Sequence, residues 1–512
     1  MKDKKQQPDS KASGQKDPII INVCRVMYSI LFLIACAVPG ATMFMARNDP
    51  EGATAEKRLL ADAPDIFQED GTLNREFSSQ AIAYVSDHFG FREDLVALDS
   101  RLKADLLHVS AEPKVIIGNE GWLYYTPTAD DLIGNPTVSP LGLQNILYNL
   151  ELSRSYAESH GAKFVIAVVP NKNSIYPQYM PYNYANYGTV GNYGNLLNAM
   201  EKYSPTLLDN WCDLRGTLRE QAEGSTFPIY HKQDTHWNNI GALTGYRAIM
   251  DKTGTDYKTY EEATFTPEQT WEGDLEMMLF PGTDVRDTQY QTDIPYDFEY
   301  LGRYRSSDDL NIHTECASGT GSLLMFRDSF GAAVIPYFSE NFAAAHYARS
   351  RPNPYYNMED AEYDTVVMEI VERNIPWLQK EAPMHAAIAT EPLPPPHTYR
   401  EGTLNTAQTS SMFLQIYGTL SLPEDLETTS DYVVTLTATD GSSSSYLAYH
   451  CYEADLFGED SIKDNGYSLY IPVEDLVPGV EYQVSLSFRA PRQILGYDLG
   501  TVSLPAPDET AG

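Results

Sequence analysis

The chain is short of cysteine and short of positive charge. Five cysteines in 512 residues are far too few for a disulfide scaffold. Cys24 and Cys36 lie in or beside an apolar N-terminal run, and Cys212, Cys316 and Cys451 are scattered over the rest. Lys and Arg total 36 against 71 Asp and Glu, a formal net charge of -35. Nucleic-acid backbones need a basic surface, so this balance argues against such a partner. Zinc-knuckle patterns and short solenoid repeats are also missing. Histidine is scarce, ten in all, which gives weight to any that stands beside a carboxylate.

What is present is a globular composition, 42% hydrophobic, long enough for two or three domains. The first 25 residues carry six Lys/Arg against three Asp. The run "VMYSILFLIACAVPGATMFM" follows, 26–45, without a charge. Twenty residues at 1.5 Å each span about 30 Å, one hydrocarbon thickness. The pattern predicts a cytoplasmic basic tail, 1–25, and a single transmembrane anchor, 26–45, with the body outside the cell and the lipid bilayer as a partner. A cleaved signal peptide is the competing reading, and "IACAVPGA" holds the small residues cleavage needs.

Beyond a polar stem, "SSQAIAYVSDHFGFREDLVALDSRLKADLL" reads as amphipathic helix broken at Gly90. "KVIIGNEGWLYY" reads as strand, turn, strand. From Pro140 the pattern becomes α/β. The helix "LGLQNILYNLELSRSYAESHG" precedes the apolar strand "AKFVIAVVP", and "GSLLMF" and "YDTVVMEIV" repeat that strand type. Continuous apolar strands suit a parallel sheet covered on both faces. The expected layout is an α/β domain over 46–390 with a polar insertion, 251–316. A Pro-rich linker, 391–402, and an all-β sandwich, 403–505, complete it. From Arg400 onward there are four basic and seventeen acidic residues.

Two short stretches can carry chemistry. In "FRDSFG", Ser329 follows a buried strand and precedes a helix, where its hydroxyl can project over the sheet edge and its N–H can face developing negative charge. The plain alternative is a helix N-cap. In "QDTHWN", Asp234 and His236 supply the orienting carboxylate and the base that a serine nucleophile needs. They share one side of an extended strand or meet across a tight turn. His231 is a weaker base candidate, and His231, Asp234 and His236 match no strong zinc spacing.

"DTHWN" followed by "RDSFG", with "DHFGFRE", "GNEGWLYY" and "VVPNKNSIYP" upstream, resembles the AlgX/AlgJ-like branch of the SGNH hydrolase superfamily, and in particular the bacterial proteins named for an Asp-His-His-Trp (DHHW) motif. The resemblance implies a flavodoxin-like SGNH hydrolase sheet. It implies Ser329 as nucleophile, His236 as base and then acid, and Asp234 as the residue that orients the imidazole. Trp237 would pack beside the site, Lys172 and Tyr176 would line it or bind substrate, and Arg327 would face the substrate or a salt bridge. Lys172 and Tyr176 have an alternative task, fixing their own loop. Thr235 replaces the first histidine of the naming motif, and Arg327-Asp328-Ser329 stands where plain SGNH enzymes carry Gly-Asp-Ser.

The activity so implied is O-acetylation of an exported or cell-envelope polysaccharide through an acetyl-serine enzyme, with no metal and no cofactor. A membrane-bound O-acyltransferase would supply acetyl. A polysaccharide acetyl esterase is the same chemistry with water as acceptor, and a non-catalytic assembly scaffold is the alternative outside enzymology.

Overall fold

A computed structural model of the chain describes residues 19–45, 61–68, 71–135, 138–184, 190–409, 412–424, 426, 430–451 and 464–504. The chain forms two compact units, 1–112 with 277–284, and 113–276 with 285–512.

The first unit holds three whole α-helices among its described residues. α1 spans Ile19–Met45, α2 Phe77–His88 and α3 Arg92–Leu102. Chain direction changes between α2 and α3 at Phe89 to Phe91, and Phe91 takes a positive φ of 59°. α1 corrects the expected anchor. The helix begins before residue 26 and takes in Arg25. Among the described residues no helix is long and apolar enough to cross a membrane. The anchor at 26–45, the bilayer as partner and the single-pass topology are overturned with it. The expected basic tail up to residue 18, and most of the stem, 46–60, lie outside the described residues.

The second unit opens with a hairpin, β1 Val115–Ile117 and β2 Leu123–Tyr125. α4 covers Pro140–Ser159. Ser139 caps it by accepting Gly142 N–H at 2.9 Å, and Pro140 suits the first turn, where a missing N–H costs nothing. Gly161, at φ 82°, lets the chain leave the helix. β3, Lys163–Val169, then enters the core. Its side chains alternate between two apolar clusters, Val165, Ala167 and Val169 in one, Phe164, Ile166 and Val168 in the other. Burial on both faces explains why the sequence shows a continuous apolar run and no alternation.

The remaining strands of this layer are β4 Trp211–Cys212, a separate hairpin of β5 Phe265–Trp271 and β6 Asp287–Thr292, then β7 Glu299–Leu301, β8 Asn311–Glu315, β9 Ser322–Phe326, β10 Ala344–Ala348 and β11 Thr365–Val371. The central sheet has the order β4-β3-β11-β9-β10-β8-β7. From β4 to β10 every pairing is parallel, and β8 and β7 add an antiparallel edge. The polar stretch 251–316 is therefore partly sheet. α4 covers one face through Leu143, Ile146, Leu147 and Leu150. Helix α5, Asn239–Thr253, covers the other through Leu243, Tyr246, Ile249 and Met250. Each such side chain contributes about 1.5–3 kcal/mol on burial. Loops after β3, β9 and β11 leave the same carboxyl edge, where open α/β sheets place their sites.

Beyond residue 397 the described residues form strands and loops with one 3-10 turn, Val473–Asp475. A five-stranded sheet and a three-stranded sheet enclose their own core of Ile416, Val434, Leu469 and Leu486. The longest strand, Gln493–Ser503, carries Gly496 and Gly500 and was not expected from the sequence. This layer packs on α4. The Asn149 side-chain amide donates to the backbone carbonyl of His450 at 2.9 Å and accepts the N–H of the same residue at 2.9 Å. Leu152, Ala382, Phe413 and Tyr470 close an apolar seam beside it.

Candidate active site

Ser329 stands at the carboxyl end of β9, with φ −68° and ψ −27°, at the head of a short 3-10 turn, Phe330–Val334. It makes no capping bond. Asp328 holds the turn instead. Its Oδ1 accepts Phe330 N–H at 2.9 Å, and its Oδ2 accepts Val371 N–H at 2.9 Å and the Asn374 amide at 3.0 Å. The Asp328 N–H in turn donates to Glu369 Oε2 at 3.0 Å. A buried carboxylate thus ties the end of β9 to the end of β11, and the Ser329 hydroxyl is left to point elsewhere.

The residues 229–238 form a tight loop. Tyr230 and Trp237 pair as an antiparallel bridge, and Asn238 N–H donates to Ile229 C=O at 3.0 Å. Asn238 also caps α5 by accepting Ile240 and Gly241 N–H at 3.0 and 3.2 Å. Between these ties Asp234 Oδ1 accepts His236 N–H at 2.7 Å, an aspartate turn closing on the residue two ahead. Asp234 and His236 therefore meet across a turn, the second of the two geometries open from the sequence.

This turn puts His236 Nδ1 2.7 Å from Asp234 Oδ1 and His236 Nε2 2.8 Å from Ser329 Oγ. In a neutral imidazole Nδ1–H donates to the aspartate and Nε2 accepts the serine proton. Burial pushes the Asp234 carboxyl up, but the charge and hydrogen bond of His236 outweigh it and hold the group well below the usual carboxylate range. Burial pulls the imidazole down. The charge and hydrogen bond of Asp234, and then Asp274, overcome this, so the His236 pKa is raised, with Arg373 opposing.

Of the other expected residues, Trp237 is buried, donates from Nε1 to Phe330 C=O at 3.0 Å and packs edge-on against that ring. Lys172 does not reach the relay. Its buried ammonium donates to the carbonyls of His231, Lys232 and Asp234 at 3.1, 2.9 and 2.6 Å, so it fixes the loop from behind its backbone. Burial lowers its pKa to about 8 against the pull of Asp234, Asp274 and Asp287. The Tyr176 hydroxyl accepts Ile229 N–H at 3.0 Å and fixes the loop's start. The Arg327 guanidinium donates to the carbonyls of Ser307 and Asp309 at 2.6 and 3.1 Å and to Asp328 C=O at 3.2 Å. Its bonds go to backbone, away from the relay.

Four neighbours were not singled out in the sequence. Trp271 Nε1–H and Asp274 N–H each donate to Asp234 Oδ2 at 3.0 Å. Phe330 packs against the His236 ring at 4.6 Å between centroids, and the Arg373 guanidinium lies 5.2 Å from the Phe330 ring. Arg373, following β11 as Ser329 follows β9, had a legible signal in the charged end of an apolar strand. Trp271 and Asp274 had none beyond their place in the polar insertion. Asp234, His236 and Asp274 bring ligand-type atoms within 4.8 Å of one another. Each carboxylate oxygen in the group already faces an N–H or O–H donor, which marks a hydrogen-bond network and not a set of cation ligands.

Residues 115–309 match the family model described as SGNH hydrolase-like domain, acetyltransferase AlgX; Ser329 lies beyond the matched range. Over 176 residues the chain is 27% identical to a protein of Pseudomonas syringae pv. tomato named probable alginate O-acetylase AlgJ, covering 33% of this chain and 41% of that one. The match thus spans less than half of the relative's length. Similar solved structures include a DHHW family protein from Eubacterium siraeum, 16% identical, TM-score 0.36, covering 45% of this chain and 85% of that one. The O-acetyltransferase domain of Pseudomonas putida AlgJ is 16% identical, with TM-score 0.33 and coverages of 52% and 92%. Bacillus cereus PatB1 is 17% identical, with TM-score 0.40 and coverages of 51% and 95%.

Proposed function

We propose, from the likeness to the AlgX acetyltransferase family model over residues 115–309 and to a relative named as an alginate O-acetylase, that the chain is an O-acetyltransferase acting on hydroxyls of a polysaccharide through Ser329, His236 and Asp234. The observation that carries this reading is the unbroken hydrogen-bonded path from Ser329 Oγ to His236 at 2.8 Å and from His236 to Asp234 at 2.7 Å. The acetyl group and the sugar acceptor come from the likeness to the acetyltransferase family model and to a relative named as an alginate O-acetylase.

In the first half-reaction Ser329 Oγ forms a bond to the donor's acetyl carbon while its proton passes to His236 Nε2. The donor's leaving oxygen breaks from the same carbon and takes that proton away. In the second half-reaction a sugar hydroxyl gives its proton to Nε2 and its oxygen to the acetyl carbon, and Ser329 Oγ leaves with the proton returned. Asp234, kept ionised by its partners, stabilises the imidazolium between the two transfers. The Ser329 N–H is the donor assigned to the developing oxyanion, because the next N–H along, that of Phe330, is already given to Asp328.

The test is acylation of the whole chain with an activated acetyl ester, read by intact mass and peptide mapping, with sugar acetylation and released acetate followed together. One acetyl on the peptide that holds Ser329, absent from Ser329→Ala, is the expected result. Equal labelling or equal turnover in the variant would remove Ser329 from the mechanism. Turnover to water with none to sugar would turn the reading into an esterase.

A further inference from the structure

A second carboxylate stands beside the relay and takes no part in it. Asp274 Oδ2 accepts the Thr235 hydroxyl at 2.6 Å, and Oδ1 accepts Thr235 N–H at 2.8 Å. Thr235 Oγ1 is also 3.2 Å from His236 Nδ1. A hydroxyl whose proton is committed to Asp274 has only lone pairs to turn toward that nitrogen. His236 Nδ1–H therefore faces two acceptors, Asp234 Oδ1 at 2.7 Å and Thr235 Oγ1 at 3.2 Å, and Asp274 Oδ2 itself is 3.9 Å away. The backbone of Asp274 grips the other partner, donating its N–H to Asp234 Oδ2 at 3.0 Å.

We propose that Asp274 is a positioning residue for His236, acting through the Thr235 hydroxyl. It holds the imidazole with Nδ1 toward Asp234 and Nε2 toward Ser329, and it sets a second negative charge beside the imidazolium. Thr235 is the position at which this chain departs from the naming motif, so the hydroxyl link belongs to this chain's own version of the site. The inference rests on the reading of His236 as the base, but its main readout needs no substrate.

The charged groups facing this network are few. Asp234 comes from the same loop as His236, Asp274 from the segment after β5, and Arg373 from the end of β11. Lys172, Asp287 and His231 bear on Asp234 and its loop, and burial lowers His231 to about 4, which keeps it neutral near pH 7. Asp274 is thus the negative charge that can be removed without cutting the bond between His236 and Asp234. Burial, and then Asp234, push its own carboxyl up, opposed by His236 and by the two bonds from Thr235.

The experiment titrates the His236 ring by NMR in the full chain with labelled histidine, in wild type, Asp274→Asn, Thr235→Val and Thr235→Ser. Removing the charge or the hydroxyl should lower the midpoint by about half to one pH unit, while serine keeps the wild-type value. The pH profile of Ser329 acylation should show the same displacement of its acid limb, with a plateau roughly tenfold lower, small beside the about 10²–10⁴-fold due to the base itself. An unmoved midpoint in folded Asp274→Asn and Thr235→Val overturns the proposal. So does a uniform loss of rate with no displacement, the mark of a merely structural role. If Asp274→Asn fails to fold, the threonine pair decides alone. A midpoint that moves in a chain whose Ser329 never acylates would sink the acetyltransferase reading and leave Asp274 in place, and the converse result would do the opposite.

Discussion

The two loops that meet at the candidate site are fixed by opposite charges. The histidine loop is held by a cation, with three of its carbonyls on the buried ammonium of Lys172. The serine turn is held by an anion, with two backbone N–H groups and one amide on the buried carboxylate of Asp328. A loop whose N–H groups turn outward leaves its carbonyls turned inward, and each loop has recruited the charge that its inner face requires. The two anchors are not equal in cost. Burial already works against the Lys172 charge, bringing its pKa down to about 8. Removing that lysine strands three carbonyls but relieves a desolvation penalty, whereas removing Asp328 strands three donors.

The sharpest way to break the comparison is Asp328→Ala. It strands Phe330 N–H, Val371 N–H and the Asn374 amide, and at about 1–3 kcal/mol for each buried unsatisfied group the loss should be about 3 kcal/mol or more. Urea unfolding should show that loss, and acylation of Ser329 should fall by more than about 100-fold. Lys172→Met keeps the volume and should separate the two quantities. Stability should change by no more than about 1 kcal/mol, while acylation drops by about tenfold or more as the loop loosens. Stability near that of wild type with full acylation would show the three carbonyls need no cation.

The wild-type pH profile gives a smaller and more specific effect. Activity should rise as His236 loses its proton and fall again near pH 8, where Lys172 loses its own and keeps only two N–H donors for three carbonyls. The alkaline limb should vanish in Lys172→Met, and its survival there would assign the limb to another group. Gly245→Ala is the mildest test. A Cβ there would stand 2.6 Å from the Trp237 ring, so the ring must shift and stability should fall by about 1–3 kcal/mol. An unchanged urea midpoint would show that Trp237 has room to move.

Much of the sheet was legible because β3, β9 and β11 are apolar from end to end, a pattern that burial on both faces writes into sequence. Asp234, His236 and Ser329 were legible as chemical types, and the structure brings them into one relay. Side-chain direction was not. Lys172 could be read as lining the site or as fixing its loop, and Arg327 as facing substrate or a salt bridge; both spend their donors on backbone carbonyls. Trp271 and Asp274 lie 37 and 40 residues from Asp234 along the chain, in a stretch whose polarity gives no period to read. The strand Gln493–Ser503 was hidden by its glycines, which resemble turn punctuation. The N-terminal run was read as an anchor, yet among the described residues no helix is long and apolar enough to cross a membrane.

The Asn149 side chain on α4 imitates the edge of a strand. One amide offers a donor and an acceptor to the N–H and C=O of a single residue, His450, as a neighbouring peptide would. In an extended chain a given edge presents that pair at every second residue only. The amide therefore works as an indexing pin. It can engage residue 450 or a residue two places away, and a slip of one place would meet the wrong edge. The C-terminal layer is keyed to the helix in fixed register, so the two layers should unfold in a single transition and not as beads on a string.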